Sequence, residues 1–416
     1  MLAKIAINQI SQFFASFVFA SIFFLKDPLV FAGFTYANVV AVMFATIARG
    51  SGCSTLTNIF HDDKKDLSID RGATLITIFV IVNSIIICGL LYIVSESLNI
   101  LEKIYVPLVL AITLTNNIYS VTNHALRLKE SRFLFVCFPT LRWFLSIITI
   151  LIIDTNLIFY LVYAELITSV LLFLSFKPYT KLTLLQLQMT TQVYYCDYVK
   201  TSIHTLAKAI NSVRDQLIAG VFLTTEMFAI FSYVRRFLVP WQLATNIVLQ
   251  KIVISTKNAV TNSGKKGWLT VIEDKIFVGL TVIGLILLVA LYIGEKNNLV
   301  SGDAAILLTM TLIIFSNNII TGTVSQLLFF SNLKGKISFL SFTFYPWYVC
   351  FLLQLTYSIA SAELFLKFSL FYISVAPIPW LIATFVFVPR RLSLDVLKNV
   401  SPLLPIYVYG IFICLS

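Results

Sequence analysis

The feature that most constrains this chain is a succession of apolar segments, each about 20 residues long and closed by a short polar break. A helix needs about 20 mostly apolar residues to cross a bilayer. A last apolar stretch, about 400–416, follows the twelve spans given next and begins with two prolines. We predict that it is either a further, thirteenth helix or an interfacial tail. We predict twelve spanning helices, near residues 5–25, 34–58, 73–95, 104–126, 133–153, 156–176, 199–223, 226–255, 274–294, 303–328, 337–358 and 362–388.

Composition excludes the main alternatives to a polytopic membrane protein. Hydrophobic residues make up 59% of the chain and charged residues only 12%, whereas a soluble domain has roughly 25% charged residues. A soluble enzyme, a disordered chain and a secreted disulfide scaffold are therefore excluded. The six cysteines are scattered without a CxxC pair and predict no metal or redox motif. The net charge of +11 is not massed in a soluble patch, so we expect no nucleic-acid partner.

The distribution of Lys and Arg predicts the orientation in the membrane. Twenty of these residues lie at one set of helix ends, and only Lys26, Lys103, Lys296 and Lys367 lie at the opposite ends. Basic residues accumulate in cytoplasmic loops. We therefore expect a cytoplasmic N-terminus, with the short, weakly basic loops outside.

The two sets of six predicted helices carry similar landmarks at an interval near 200 residues. The order of these landmarks is the same in both sets, and six helices per set give both the same orientation. This predicts a parallel repeat, one of the arrangements found in transporters, with two bundles around a central cavity. The matched segments are Ala6-Ile7-Asn8 with Ala209-Ile210-Asn211, Leu91-Tyr92-Ile93 with Leu291-Tyr292-Ile293, Asn116-Asn117-Ile118 with Asn317-Asn318-Ile319, Phe138-Pro139 with Tyr345-Pro346, and Phe159-Tyr160-Leu161 with Phe371-Tyr372-Ile373.

The repeat predicts the domain organisation. We expect an N-terminal six-helix bundle over residues 1–176 and a cytoplasmic linker over 177–198, with a short surface helix in it. A second six-helix bundle is expected over 199–388, followed by a tail over 389–416.

Eight ionisable residues are predicted at membrane depth, where such residues usually face a cavity or a partner. Arg142 and Glu165 both fall about 13 Å into adjacent helices at 1.5 Å per residue, so an ion pair between them is expected. The bases outnumber the acids, and the excess favours an anionic ligand, phosphate above all. The eight residues are Arg49, Arg142, Lys208, Arg214, Arg235 and Arg236, with the acids Glu165 and Asp215.

The predicted seventh helix carries a polar stripe. Its members follow one another at intervals of three or four residues, which places them on one helical face that meets water or a polar partner. Asp215 is expected either to line that face or to pair with Lys208 or Arg214. Asn116 and Asn317 on other helices suit either a sugar or interhelical hydrogen bonds. The stripe consists of Lys200, His204, Lys208, Asn211 and Asp215.

The predicted seventh and eighth helices resemble a known family. The runs Ala209-Ile-Asn-Ser-Val-Arg-Asp-Gln-Leu-Ile-Ala-Gly and Ala229-Ile-Phe-Ser-Tyr-Val-Arg-Arg-Phe are similar to a "D-x-L-hydrophobic-G … G-x-Y" region of bacterial polysaccharide flippases. Phe231-Ser232 stand where that family usually has glycine. Near the start of the chain, Phe31-Ala-Gly-Phe-Thr-Tyr resembles the family's "F-G-x-Y" segment. These proteins transport O-antigen and exopolysaccharide repeats and share a superfamily with the multidrug and toxin extruders.

The resemblance implies a function in the bacterial inner membrane. It implies translocation of an undecaprenyl-pyrophosphate-linked oligosaccharide to the periplasmic leaflet, with membrane lipids and other polysaccharide-assembly proteins as partners. The family's basic cavity residues correspond by region to Lys208, Arg214, Arg235 and Arg236. No cofactor is implied. A proton or sodium gradient is the suspected driver, and the sequence offers no clear ion site.

Two alternatives remain at this point. A multidrug extruder of the same fold is expected to carry more acid within the membrane. A polysaccharide polymerase is expected to have a long exterior loop, and an enzyme to have a catalytic motif. The sequence has no Gly-rich phosphate loop, GxSxG or HExxH, so we expect a transporter and not an enzyme.

Overall fold

The computed structural model describes residues 2–49, 52, 69–98, 103–128, 134–175, 184–238, 275–297, 302–330, 334–388, 397 and 401–415. Within these ranges the backbone is almost entirely helical and contains no β-strand. The predicted all-helical class is confirmed.

The described helices follow the predicted spans in order. Up to residue 238 they are α1 (Leu2–Lys26), α2 (Pro28–Arg49), α3 (Ile69–Leu98), α4 (Val106–Leu128), α5 (Leu134–Ile152), α6 (Leu157–Ser175), α7 (Leu184–Phe222) and α8 (Thr225–Arg235). From residue 275 they are α9 (Lys275–Lys296), α10 (Gly302–Phe330), α11 (Lys334–Ser341), α12 (Tyr345–Tyr357), α13 (Ala362–Val375), α14 (Pro377–Phe387) and α15 (Leu404–Leu415). The eighth predicted span, 226–255, lies outside the described residues beyond Leu238.

Length and hydropathy make this a polytopic membrane protein. Among the described helices, six segments are long and apolar enough to cross a bilayer. The outer face of α3 exposes large aliphatic side chains one after another, including Val82, Ile86 and Leu90, a surface that suits lipid and not water. The six segments are Pro28–Arg49, Gly72–Ile93, Leu157–Leu174, Gly302–Ser325, Phe339–Tyr357 and Ala362–Phe387.

The chain folds as two compact units, Met1–Tyr233 and Val234–Ser416. In the first unit α4 lies at the centre and packs against α2, α3 and α6, while α7 packs against α2. In the second unit α10 has the central place and contacts α9, α13, α14 and α15. By packing, α7 and most of α8 therefore group with the first six helices. The division into bundles at 177–198 stays a prediction.

Part of the predicted linker is continuous with the seventh helix. From Leu184 to Phe222 the backbone forms one helix of 39 residues, so the linker residues from 184 onward form no separate surface helix. The reason is local, because the segment has no proline and no glycine before Gly220 to interrupt the hydrogen-bond ladder. Residues 176–183 lie outside the described residues.

Two glycines allow close contacts between helices of the first unit. A methyl group on Gly33 would overlap the ring of Tyr105, and one on Gly220 would overlap the ring of Tyr36. The ring of Tyr36 also meets that of Phe228 edge to face at 5.8 Å. Two of the segments that carry the family resemblance, the one ending in Tyr36 and the one ending in Gly220, therefore pack against each other.

The C-terminal helix α15 packs against α13 and α10. Its 12 residues extend about 18 Å at 1.5 Å per residue, which is short of the roughly 30 Å hydrocarbon core. Gly410 lies where a methyl group would contact Ile313 and Ser374. This helix is therefore attached along the second unit and is too short to span the membrane alone.

Candidate functional site

A buried ion pair joins α5 and α6 in the first unit. The Nε of Arg142 lies 2.7 Å from Oε1 of Glu165, and Nη1 donates to Oδ1 of Asn116 at 3.0 Å. The Glu165 side chain is 1% exposed and that of Arg142 is 12% exposed. The ion pair expected from the equal depth of the two residues is present. It neutralises one of the two predicted intramembrane acids and occupies one of the predicted cavity arginines.

The central helix α4 uses its polar side chains to bind its neighbours. Thr115 donates to the backbone carbonyl of Glu165 on α6 at 3.0 Å. The amide of Asn117 donates to Ser84 on α3 at 2.9 Å. Thr113 donates to the carbonyl of Ala41 on α2 at 3.4 Å. These side chains hold the bundle together, which is the second of the two roles considered for polar residues on this helix.

A basic cluster lies toward the predicted cytoplasmic ends of α2 and α7. We use this name for Arg49, His204 and Lys208. Arg49 is the last residue of α2, and its Nη1 donates to Oγ of Ser120 at 2.8 Å. Lys208 lies close enough to Arg49 for the positive charges of the two side chains to repel each other, and the His204 ring lies near Lys208 on the same helix. Among the described residues no carboxylate forms an ion pair with Arg49 or Lys208, so these charges favour an anion.

The polar stripe of α7 changes from exposed to buried along the helix. Lys208 is exposed and His204 is half-buried. One turn further on, Asn211 is 5% exposed, and its Oδ1 has no hydrogen-bond partner among the described residues. Arg214 and Asp215 are completely buried. The stripe therefore leads from an accessible cationic end into the interior of the first unit.

The remaining predicted site residues belong to the second unit. Arg235 and Arg236 are half-buried, and the guanidinium carbon of Arg235 lies 5.3 Å from the centroid of the Phe315 ring. Asn317 is completely buried and donates its amide to the carbonyl of Ile373 at 3.0 Å. The structure thus brings together Arg49, His204 and Lys208, and separately Arg142, Glu165 and Asn116.

Ser120 and Tyr233, which lie outside the predicted site, each hold neighbouring helices of the first unit in place. Ser120 holds Arg49, and its own hydroxyl donates to the carbonyl of Asn116 at 2.7 Å. Tyr233 stacks on Phe24 of α1 with ring centroids 4.8 Å apart, and its hydroxyl lies 3.4 Å from that of Ser21. The signal for Tyr233 was present, since it stands within the second run that carries the family resemblance.

Two of the four predicted exterior lysines are neutralised by acids. Lys26 lies 2.7 Å from Asp154 and donates to the carbonyl of Ile153 at the end of α5. Lys367 lies 3.4 Å from Glu363, one turn away on α13. In the residues that the structure describes, no group of three or more His, Cys, Asp or Glu side chains is placed to hold a metal ion.

Comparison with known proteins relates the fold to membrane transporters. No family model matches the sequence, and no curated protein matches it. Among solved structures, an inward-facing multidrug resistance MATE family transporter of the MOP superfamily is similar, with a TM-score of 0.56, 12% identity and coverage of 98% of this chain and 96% of that one.

Two further solved structures share the fold. An outward-facing MATE family transporter gives a TM-score of 0.52 at 14% identity, over 95% of this chain and 96% of that one. The lipid II flippase MurJ, in an inward closed conformation, gives 0.55 at 17% identity, over 96% of this chain and 98% of that one. The polytopic helical fold of these three proteins therefore extends over nearly the whole chain.

Proposed function

We propose that this protein is a flippase for an undecaprenyl-pyrophosphate-linked oligosaccharide, which it moves across the bacterial inner membrane by alternating access. The single observation that carries the proposal is the basic cluster of Arg49, His204 and Lys208 in the first unit. The similarity of the chain's fold to that of a lipid II flippase and of multidrug transporters supports a function in transport across a membrane.

The positive charges of the basic cluster support a substrate with an anionic headgroup. Arg49 and Lys208 repel each other, and a pyrophosphate bound between them replaces this repulsion by attraction. Arginine and lysine are the residues that best bind phosphate oxygens. Arg235 and Arg236 belong to the second unit, and their part in binding stays a prediction. The unpartnered carbonyl oxygen of Asn211 is proposed as an acceptor for a sugar hydroxyl.

A multidrug extruder is the second candidate, because two of the similar structures are multidrug transporters. Such a protein needs accessible acids to attract cationic drugs. Glu165 is instead buried against Arg142, and Asp215 is completely buried. The charges of the first unit therefore favour an anionic substrate.

The test uses purified protein in proteoliposomes. The substrate is a short-chain prenyl-pyrophosphate oligosaccharide whose terminal sugar is detected by a membrane-impermeant lectin. We expect Lys208→Glu, and Arg49→Gln to a smaller extent, to lower the flipping rate at least about tenfold, the effect of losing about 1.4 kcal/mol of binding. Lys367→Gln removes a lysine that already pairs with Glu363 and should flip normally.

The same vesicles separate the two candidate functions. The proposal expects no transport of a cationic dye and inhibition of flipping by inorganic pyrophosphate. Normal flipping by Lys208→Glu and Arg49→Gln would reject the anion site. Dye transport without oligosaccharide flipping would establish the extruder instead.

A further inference from the structure

The last predicted span of the chain is interrupted by a proline at its middle. Helix α13 ends at Val375, and α14 begins at Pro377. In an uninterrupted helix the carbonyl of Ile373 would accept from the amide of residue 377, and proline has none. Ala376 nevertheless keeps helical torsion angles, φ −55° and ψ −30°, so the chain continues as one apolar segment over Ala362–Phe387.

A side chain from α10 satisfies the carbonyl that the proline leaves free. The amide of Asn317 donates to the carbonyl of Ile373 at 3.0 Å, and both residues are completely buried. A buried backbone carbonyl without a partner would be costly. Asn317 therefore replaces a backbone hydrogen bond by a side-chain hydrogen bond, which can open without unwinding either helix.

The neighbouring span has a matching break. Between α11 and α12 lies a 3-10 turn, Phe342–Phe344, followed by Pro346. In such a turn the carbonyl of Thr343 would accept from residue 346, which again has no amide. The hydroxyl of Tyr372 donates to that carbonyl, and Nε1 of Trp380 donates to Oγ1 of Thr343 at 3.3 Å. Thr343 thus binds the last predicted span at two points, Tyr372 before Pro377 and Trp380 after it.

The helices that the predicted repeat relates, α6 in the first half and α13 with α14 in the second, differ at the position of this break. Phe159-Tyr160-Leu161 matches Phe371-Tyr372-Ile373, and six residues after the first of each come Glu165 and Pro377. At the position where the first unit has a buried ion pair from α6 to α5, the second unit has a helix break. Helix α6 itself has no proline between Leu157 and Ser175.

We propose that Pro377 is a hinge of the second unit, held straight by Asn317 and Thr343, while the ion pair of Arg142 with Glu165 keeps the repeat-related helix α6 rigid. Opening the side-chain bonds from Asn317 and Trp380 lets α14 bend away from α13. The two halves then contribute differently to the conformational cycle. The predicted first half, which ends with α6, moves as a rigid body, and the predicted second half bends within itself.

Hydrogen–deuterium exchange of the purified protein in nanodiscs tests the hinge without any substrate. In the wild type, amides of residues 374–381 should exchange at least tenfold faster than those of residues 162–169 in α6. Pro377→Ala restores the missing donor and should slow exchange around the break about tenfold. Pro28→Ala is the matched control, because Pro28 is the first residue of α2, where no amide is needed.

A double-mutant cycle tests whether the hydrogen bond from Asn317 to the carbonyl of Ile373 compensates for Pro377. Asn317→Leu should lower Tm by roughly 5 °C when Pro377 is present, and by much less in the Pro377→Ala chain, where the carbonyl has a backbone partner. Equal losses in both backgrounds would overturn the assignment of Asn317.

The functional consequence is measured separately. Pro377→Ala should keep its Tm and lose at least about tenfold in oligosaccharide flipping. Slower exchange with full flipping would reject the hinge while leaving the proposed transport intact. If no variant, wild type included, flips the oligosaccharide, the exchange data still decide whether the hinge exists.

Discussion

Glu165 shows what one residue costs inside a membrane protein. One carboxylate oxygen accepts from Arg142, and the other has no hydrogen-bond partner among the described residues. Nη2 of Arg142 is likewise without a partner there. Removing either member of the pair would leave the other as an uncompensated buried charge.

The first prediction removes the members of this pair one at a time. Glu165→Leu leaves a buried arginine uncompensated and should cost about 3–5 kcal/mol of unfolding free energy, measured by denaturation in bicelles. The double variant Arg142→Leu with Glu165→Leu should recover most of that loss, because an apolar pair replaces a buried ion pair at little cost. The control is the exposed pair of Lys367 with Glu363, whose removal should cost at most about 0.5 kcal/mol. Losses that simply add would contradict the coupling.

At the scale of single residues, the sequence predicted how deep a residue lies in the membrane but not which neighbouring helix its side chain faces. Equal depth sufficed for the pair of Arg142 with Glu165. Thr115, Asn116 and Asn117 follow one another in the chain, yet they bind three different helices. Successive residues of a helix point about 100° apart, and the rotation of α4 about its axis depends on all of its neighbours together. The sequence alone therefore left these residues between a substrate role and a packing role.

At the scale of helices, the contacts depend on small residues that hydropathy does not detect. Gly220 admits the ring of Tyr36, and Gly33 admits that of Tyr105. Close approach through glycine is a common device where helices pack within a bilayer. The positions and types of most helices could be predicted, because apolar length determines them. Which faces meet could not, because that depends on the shapes of individual side chains.

The second prediction tests one of these contacts. Gly220→Ala adds a methyl group that overlaps the Tyr36 ring, so we expect a loss of about 1–3 kcal/mol in unfolding free energy. Gly89→Ala is the matched control, since a methyl group there meets nothing within 4 Å. That control should be neutral or stabilising by up to about 1 kcal/mol through helix propensity. Adding Tyr36→Leu to Gly220→Ala should restore part of the loss, and failure to do so would show that the ring is not the obstacle.

For the whole molecule, the packing of α8 on α1 bears on the proposed transport cycle. Helix α1 begins the first predicted half, and α8 belongs to the second. The ring of Tyr233 on α8 nevertheless stacks on Phe24, near the predicted exterior end of α1. If the two halves separate at that end during each cycle, as alternating access requires, this stacked pair must part and re-form.

The third prediction tests whether the contact between Phe24 and Tyr233 must open during transport. In a cysteine-free chain, Phe24→Cys with Tyr233→Cys is joined by a short bis-thiosulfonate reagent, and each single cysteine treated in the same way is the control. We expect crosslinking to stop oligosaccharide flipping in proteoliposomes, because the exterior ends can no longer separate, and reduction to restore it. The single variants lose the ring contact but keep free ends, so they should flip before and after treatment. Full flipping by the crosslinked protein would mean that these ends stay together throughout the cycle, and the substrate would then have to cross along a groove that never closes.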